Sequence, residues 1–197
     1  ASQISITAGG STFNAASGLI SYTCTGRPRL FSIFCKNHTV ALNEGDFAII
    51  NSNNVLSEIV SNCEGLGPIS ISRTLFDCDD LGNTIVSVTA SNGNNTQTAT
   101  CLSIITVVDN SPPELTCPPD QTLVLNENCT ALCPDFTHLA EVTDNCGVSS
   151  IVQSPLPGSL LSGVGTITVR LTAKNRNNVA TSCTFIVHKI DSTPPEV

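Results

Sequence analysis

One stretch of this sequence is written twice. Residues 84–115, TIVSVTASNGNNTQTATCLSIITVVDNSPPEL, and residues 166–197, TITVRLTAKNRNNVATSCTFIVHKIDSTPPEV, carry the same parts in the same order. Each copy has an alternating run, a Thr-Ala, an Asn-rich turn, a second run with one cysteine, and an Asp followed by Pro-Pro. Cys101 and Cys183 stand 82 residues apart, as do Asp109 and Asp191. Upstream, SEIVSNC (57–63) lies over AEVTDNC (140–146), and TVALNEG (39–45) over TLVLNEN (122–128), at an offset of 83. Self-similarity over so long a window means repeated modules. A chain of 197 residues then divides into two modules of ordinary domain size. The boundaries predicted are an N-terminal extension over 1–29, a first module over 30–108 and a second over 109–197.

Each module carries three equivalent cysteines: Cys35, Cys63 and Cys101, then Cys117, Cys146 and Cys183. Ten cysteines with no CxxC pair and only three scattered histidines point to disulfides in an oxidising compartment, so the protein is expected outside the cell. Three Asn-x-Thr sequons, at Asn37, Asn94 and Asn128, mark acceptors for N-linked glycans. Asn94 lies in an expected exposed turn, whereas Asn128 precedes Cys129, which a bridge could occupy. A net charge of −8 with eight Lys and Arg disfavours nucleic acid and anionic membrane as partners. No apolar run reaches the length of a membrane span. The absence of Met, even at position 1, suggests a processed or excised fragment of a longer protein.

Along the chain, short β-branched segments are separated by Gly, Asn and Asp: LFSIFC, HTVAL, DFAII, VLSEIV, ISISRTLF, TIVSVTA and ATCLSIITVV in the first module. QTLVL, SSIVQS, TITVRLTA and CTFIVHKI repeat this in the second. Short strands at such spacing, with no helical periodicity, indicate an all-β sandwich or barrel. QISITAGG and GLISYTC in the extension read as further strands without counterpart in the second module. SNGNN and KNRNN supply residues that tolerate positive φ in a hairpin turn. The paired prolines that follow the last strand would end one sheet and stiffen the joint to the next module.

The second module resembles the hyalin repeat, or HYR domain, an immunoglobulin-like extracellular module usually found in tandem. DNSPPELTCPPDQTLVL is similar to the family's opening D-x-x-P-P-x-I-x-C-P, and EVTDNCG to its A-x-D-N-x-G. GVGTITVRLTAKNRNN and TSCTFIVHKID match its later strands. The resemblance covers residues 109–191 well and 30–108 more loosely. Asn175 and Asn177, and Asn92 and Asn94, replace the Asp and Gly of the family's turn, and Ser61 stands where the second module has Asp144. The resemblance implies two tandem immunoglobulin-like β-sandwiches with extra N-terminal strands. In such a sandwich first and last strands are neighbours, which implies the bridges Cys117–Cys183 and Cys35–Cys101. Cys63–Cys78 and Cys129–Cys146 are the further pairs expected, leaving Cys24 and Cys133 for a bond within one chain or between copies. Pairing of Cys133 with Cys146 is the alternative.

Catalytic motifs are lacking: no G-x-S-x-G, H-E-x-x-H, P-loop or dinucleotide fingerprint occurs. His38, His138 and His188 are far apart in sequence, and alternation with Phe185 and Val187 should turn His188 outward. Asp77, Asp79 and Asp80, or Asp109 with Glu58 or Glu114, offer oxygen ligands for calcium, although a solvated turn is the plainer reading of the first group. No metal ligand set and no cofactor is therefore assigned. The reading that follows is a non-enzymatic, structural or adhesive extracellular protein whose copies self-associate into a fibre or join other matrix proteins. The alternative is a module that recognises a glycan or receptor within a larger cell-surface protein. One Tyr, seven Phe and no Trp give few platforms for sugar stacking.

Overall fold

Period-two alternation of β-branched residues puts one set of side chains on each face of a strand. The computed structural model follows that pattern and describes residues 5–8, 11–16, 19–23, 31–43, 45–61 and 65–192, with backbone alone for residues 5–23. The chain divides into two units, residues 1–40 with 47–107 and residues 41–46 with 108–197.

In the first unit, β1 (Ser5–Ala8), β2 (Ser11–Ala16) and β3 (Leu19–Thr23) form an antiparallel sheet. The strands expected from QISITAGG and GLISYTC are β1 and β3, and β2 is an addition between them. A four-stranded sheet has the order β5 (His38–Ala41), β11 (Thr98–Val108), β10 (Gly82–Asn92), β8 (Leu66–Ile71). Two pairs complete the unit: β4 (Phe31–Cys35) with β7 (Leu56–Ser61), and β6 (Phe47–Ile49) with β9 (Leu75–Asp77). Ile33, Ile50, Val55, Phe76, Val86, Val88, Ile105 and Val107 are buried here. One helical turn, α1 (Ser52–Val55), interrupts the all-β pattern just before β7. Its cause is local: Asn51 accepts from the Asn53 N–H at 2.9 Å, and Asn54 accepts from the Asn51 N–H at 2.8 Å, a reciprocal cap.

The second unit repeats the plan. Its four-stranded sheet has the order β13 (Gln121–Val124), β19 (Ala180–Ile190), β18 (Gly165–Asn175), β16 (Val148–Ser154). The first of these runs parallel to the last strand of the unit, and the other pairs are antiparallel. β12 (Glu114–Thr116) pairs with β15 (Glu141–Thr143), and β14 (Thr130–Leu132) with β17 (Leu160–Ser162). Between the layers lie Cys133, Phe136, Leu161, Val169, Leu171, Phe185 and Val187. The Phe136 and Phe185 rings meet edge to face, with centroids 5.3 Å apart. Gln153 staples this core: Oε1 accepts from the Phe136 N–H at 2.7 Å, and Nε2 donates to Pro134 O at 2.8 Å and Pro155 O at 3.1 Å.

Each long hairpin is turned by one buried asparagine. Asn92 Oδ1 accepts from the N–H groups of Thr96 and Gln97, and Asn175 Oδ1 from those of Asn177 and Val179. Asn95 (φ 59°) and Asn178 (φ 64°) take the left-handed conformation that the Asn-rich turns were expected to tolerate.

Disulfides join Cys35 to Cys101 and Cys117 to Cys183, each across 66 residues. On the chain-entropy account a loop of that size stabilises a unit by about 4 kcal/mol. Cys78 and Cys146 are also disulfide-bonded. The expected Cys129–Cys146 bridge is absent, because Cys129 and Cys133 are both free thiols. The reason is placement: Cys129 occupies an exposed left-handed turn (φ 52°) where its carbonyl accepts from Gly163 N–H, whereas Cys146 is buried. Cys133 does not pair with Cys146 either, since its thiol is free while Cys146 is bonded elsewhere. Cys133 is buried beneath Gln153, so a bond from its sulfur to another copy is not available in the folded unit. Burial also raises the Cys133 thiol pKa, with Gln153 acting in the opposite sense, which keeps the thiol protonated. Cys24 and Cys63 lie outside the described residues.

Candidate functional site

The second unit has an acidic cleft of about 470 Å³ lined by Asp46, Ser111, Pro112, Glu114, Thr143, Asp144 and Asn145. Its floor follows from strand pairing, since β12 and β15 set Glu114 opposite Thr143. Directly after β15 the chain turns through Asp144, whose Oδ1 accepts from the Cys146 N–H at 3.1 Å and whose carbonyl accepts from Gly147 N–H. Gly147 has a φ of 97°, a conformation that a side chain would strain. Asp109 is fully buried behind the cleft: Oδ1 accepts from the Ser111 N–H and Oδ2 from Asn175 Nδ2, both at 2.9 Å. Asn175 Nδ2 also donates to Ser111 O at 2.8 Å, so one amide fixes both the hairpin turn and the entry into β12.

Two carboxylate oxygens here, Asp46 Oδ1 and Asp144 Oδ2, are shielded from solvent without a hydrogen-bond partner. The Asp144 carboxyl is accordingly pushed above its ordinary pKa, chiefly by burial and then by the charges of Asp109 and Asp46, while the N–H groups of Cys146 and Gly147 pull it down. None of the residues that line the cleft carries a positive charge. Among the described residues no group of three or more His, Cys, Asp and Glu side chains is arranged to hold a metal.

The calcium candidates read from sequence have other duties. Asp77 Oδ1 caps a 3-10 turn through the Asp79 N–H at 3.0 Å, and Asp80 Oδ2 accepts from the Asp77 N–H at 3.0 Å and from Arg73 Nη2. Asp109 is spent on Ser111 and Asn175, Glu114 lines the cleft, and Glu58 sits on β7 of the first unit. His188 is exposed while Phe185 and Val187 are buried, as alternation predicts; its Nε2 lies 4.0 Å from Asp120 Oδ2. His38 is on β5 of the first unit, and His138 is in a short 3-10 turn of the second. Asn37, Asn94 and Asn128 are all exposed. Asn94 Oδ1 accepts from the Thr96 hydroxyl at 2.7 Å, and Asn37 Oδ1 from the Ile104 N–H at 3.0 Å. Asp144 stands out in the sequence as a departure between the modules, whereas Asp46, far from it along the chain, leaves no sign there.

The second unit is thus a disulfide-braced, immunoglobulin-like β-sandwich with an acidic cleft. Residues 108–189 match the HYR domain model, as the resemblance of that stretch implies. No curated protein sequence matches the chain. Similar solved structures include extracellular cadherin domains 1–4 of protocadherin gamma B7, at 14% identity and a TM-score of 0.39, covering 96% of this chain and 58% of that one. Immunoglobulin domains 1–4 of Sidekick-1 align at 10% identity and a TM-score of 0.44, covering 91% and 57%. Human mucin-like protocadherin EC1-2 aligns at 10% identity and 0.39, covering 84% and 100%. The chain thus spans less than two thirds of the first two.

Proposed function

We propose that this chain is a tension-bearing segment of an extracellular adhesive or structural protein. The observation that carries the reading is the matched pair of bridges, Cys35–Cys101 and Cys117–Cys183. Each ties the start of a module to its last hairpin. A force applied at the chain ends enters a module at its first cysteine, crosses the sulfur–sulfur bond and leaves from the last strand. The chain between the cysteines, which stand 66 positions apart, is bypassed. At about 3.5 Å per extended residue, roughly 230 Å of contour length per module stays locked while the bridge is intact. Edge strands β8 and β16 offer sites where another chain could add a strand, which supports assembly with further copies or matrix partners.

Stretching single molecules from their ends tests this. Under oxidising conditions neither locked length should appear; on adding a reductant, each module should release its additional extension of about 230 Å. Full extension without reductant would contradict the proposal. Beads coated with the protein should also cluster, as an adhesive requires.

Recognition of a partner is the second reading, and the donorless oxygens of Asp46 and Asp144 favour it. A lysine or arginine of a partner protein would supply both the donors and the charge. Titration with a short lysine peptide should shift the amide resonances of Asp144 and Asn145 and leave those of β18 unmoved; shifts spread over the whole unit would count against it.

A further inference from the structure

Packed strands leave each four-stranded sheet with one face turned to solvent, and the two faces differ in chemistry. In the first unit the register sets Ile85 opposite Ile104 and Ser87 opposite Leu102, all on the outer face. Ile85 and Leu102 are each 66% exposed and Ile104 39%. The register makes these three cross-strand, diagonal and along-strand neighbours on one face, within the range at which such side chains form one patch. Hydrogen-bonded pairs bound it at both ends, Thr89 with Thr100 and Asn83 with Thr106. In the second unit the same register sets Thr168 opposite Ile186 and Arg170 opposite Thr184. There threonine replaces two of the three apolar groups.

The edge beside each patch differs too. Asn37 Oδ1 accepts from the Ile104 N–H at 3.0 Å, and Asp120 Oδ1 accepts from the Ile186 N–H at 2.9 Å. Both side chains stand in for the next carbonyl of a ladder, one step before the edge strand begins. Only the first belongs to a glycosylation sequon, Asn37-His38-Thr39, and both Asn37 and Thr39 are exposed. The apolar face and the sequon thus occur together, and the polar face has an aspartate in the sequon's place. Because Oδ1 is held by Ile104, the planar amide keeps Nδ2 at the rim of the patch and free to carry a substituent.

We propose that Asn37 bears an N-linked glycan whose first sugars lie over Ile85, Leu102 and Ile104. The carbon–hydrogen face of a pyranose covers aliphatic side chains and turns its hydroxyls to water, which is what this patch requires. The attachment transfers an oligosaccharide from a lipid-linked pyrophosphate donor. A bond forms between Asn37 Nδ2 and the anomeric carbon, the anomeric carbon–oxygen bond breaks, Nδ2 loses a proton, and the lipid pyrophosphate departs. The inference rests on the extracellular reading, since the donor is met only on the secretory route.

The test uses the full chain secreted from a glycosylating cell line, beside three variants. Asn37→Asp removes the acceptor and keeps the ladder bond, as Asp120 does in the second unit. Thr39→Ala removes the sequon and leaves Asn37 in place. The third combines Asn37→Asp with Ile85→Thr and Leu102→Thr, the residues of the second unit's face. Peptide mapping after enzymatic glycan release reads occupancy, and an environment-sensitive naphthalene dye reads the patch. Asn37 should be occupied, both single-step variants should bind several-fold more dye, and the triple variant should return to the glycosylated level. An occupied Asn37 with unchanged dye binding would overturn the proposal, because the glycan would then extend away from the face. Glycans at Asn94 or Asn128 with Asn37 bare would overturn it and leave the extracellular reading standing. No glycan at any sequon would overturn both. A glycosylated chain that dimerises, and loses its dimer on Ile85→Thr with Leu102→Thr, would assign the face to a second copy instead.

Discussion

In the first unit the Asn37 amide, and in the second the Asp120 carboxylate, accept a backbone hydrogen bond from matching points on the last strand. Asn92 and Asn175 turn matching hairpins, and Cys101 and Cys183 anchor matching bridges. Away from these anchors the units diverge. On the last strand Ser103 is buried and donates to Lys36 O at 2.7 Å, where the second unit packs Phe185 against Phe136. Anchors that satisfy backbone groups have few substitutes, because a buried donor or acceptor left unpaired costs about 1 to 3 kcal/mol. Interior volume can be filled by other residues elsewhere, and outer faces answer only to what covers them.

The largest effects are expected at the bridges. Replacing Cys117 and Cys183 by alanine should cost the second unit about 4 kcal/mol, and replacing Cys35 and Cys101 should cost the first unit the same. Urea unfolding followed by circular dichroism reads both; unequal losses would mean that the reduced units retain different residual structure. Next comes Gln153→Leu, which strands the Phe136 N–H and the Pro134 carbonyl and should destabilise the second unit by about 2 to 3 kcal/mol. Calorimetry should show one transition falling and the other unmoved.

The turn asparagines should separate the two units by a smaller margin. Asn175→Ala removes the turn and the hold on Asp109 and Ser111, so it should cost about 2 kcal/mol, against about 1 kcal/mol for Asn92→Ala. Equal losses would mean that the Asp109 contact contributes nothing. The smallest effect belongs to Asp144. A carboxyl whose pKa is higher in the folded state binds protons more readily there than in the unfolded chain, so it destabilises at neutral pH and the penalty is relieved as pH falls through the folded pKa. Asp144→Asn keeps the acceptor for Cys146 and should stabilise the second unit by less than about 1 kcal/mol at pH 7. That gain should vanish on acidification, and a gain that grew with acid would contradict the assignment.

The repeat and the strands were legible because each leaves a periodic trace along the chain, and the Cys35–Cys101 and Cys117–Cys183 pairs followed from the resemblance to a sandwich whose first and last strands are neighbours. Asn95 and Asn178 were legible as a turn chemistry. What sequence missed depends on long-range approach: Asp46 meeting Asp144, Asn175 reaching Asp109, and Gln153 bridging Phe136 and Pro134. The expected Cys129–Cys146 pair failed for the same reason, since alignment of cysteines carries no information on whether the turn before β14 exposes its thiol. Short α1 was hidden for the opposite reason, its Asn51–Asn54 cap being too local to show a period.

The most direct test of the shared frame is a mass map of disulfide-linked peptides from unreduced protein, with free thiols tagged before digestion in denaturant. The frame predicts peptides joining Cys35 to Cys101 and Cys117 to Cys183, with the tag on Cys129 and Cys133. A peptide joining Cys129 to Cys146, or Cys35 to anything other than Cys101, would contradict it.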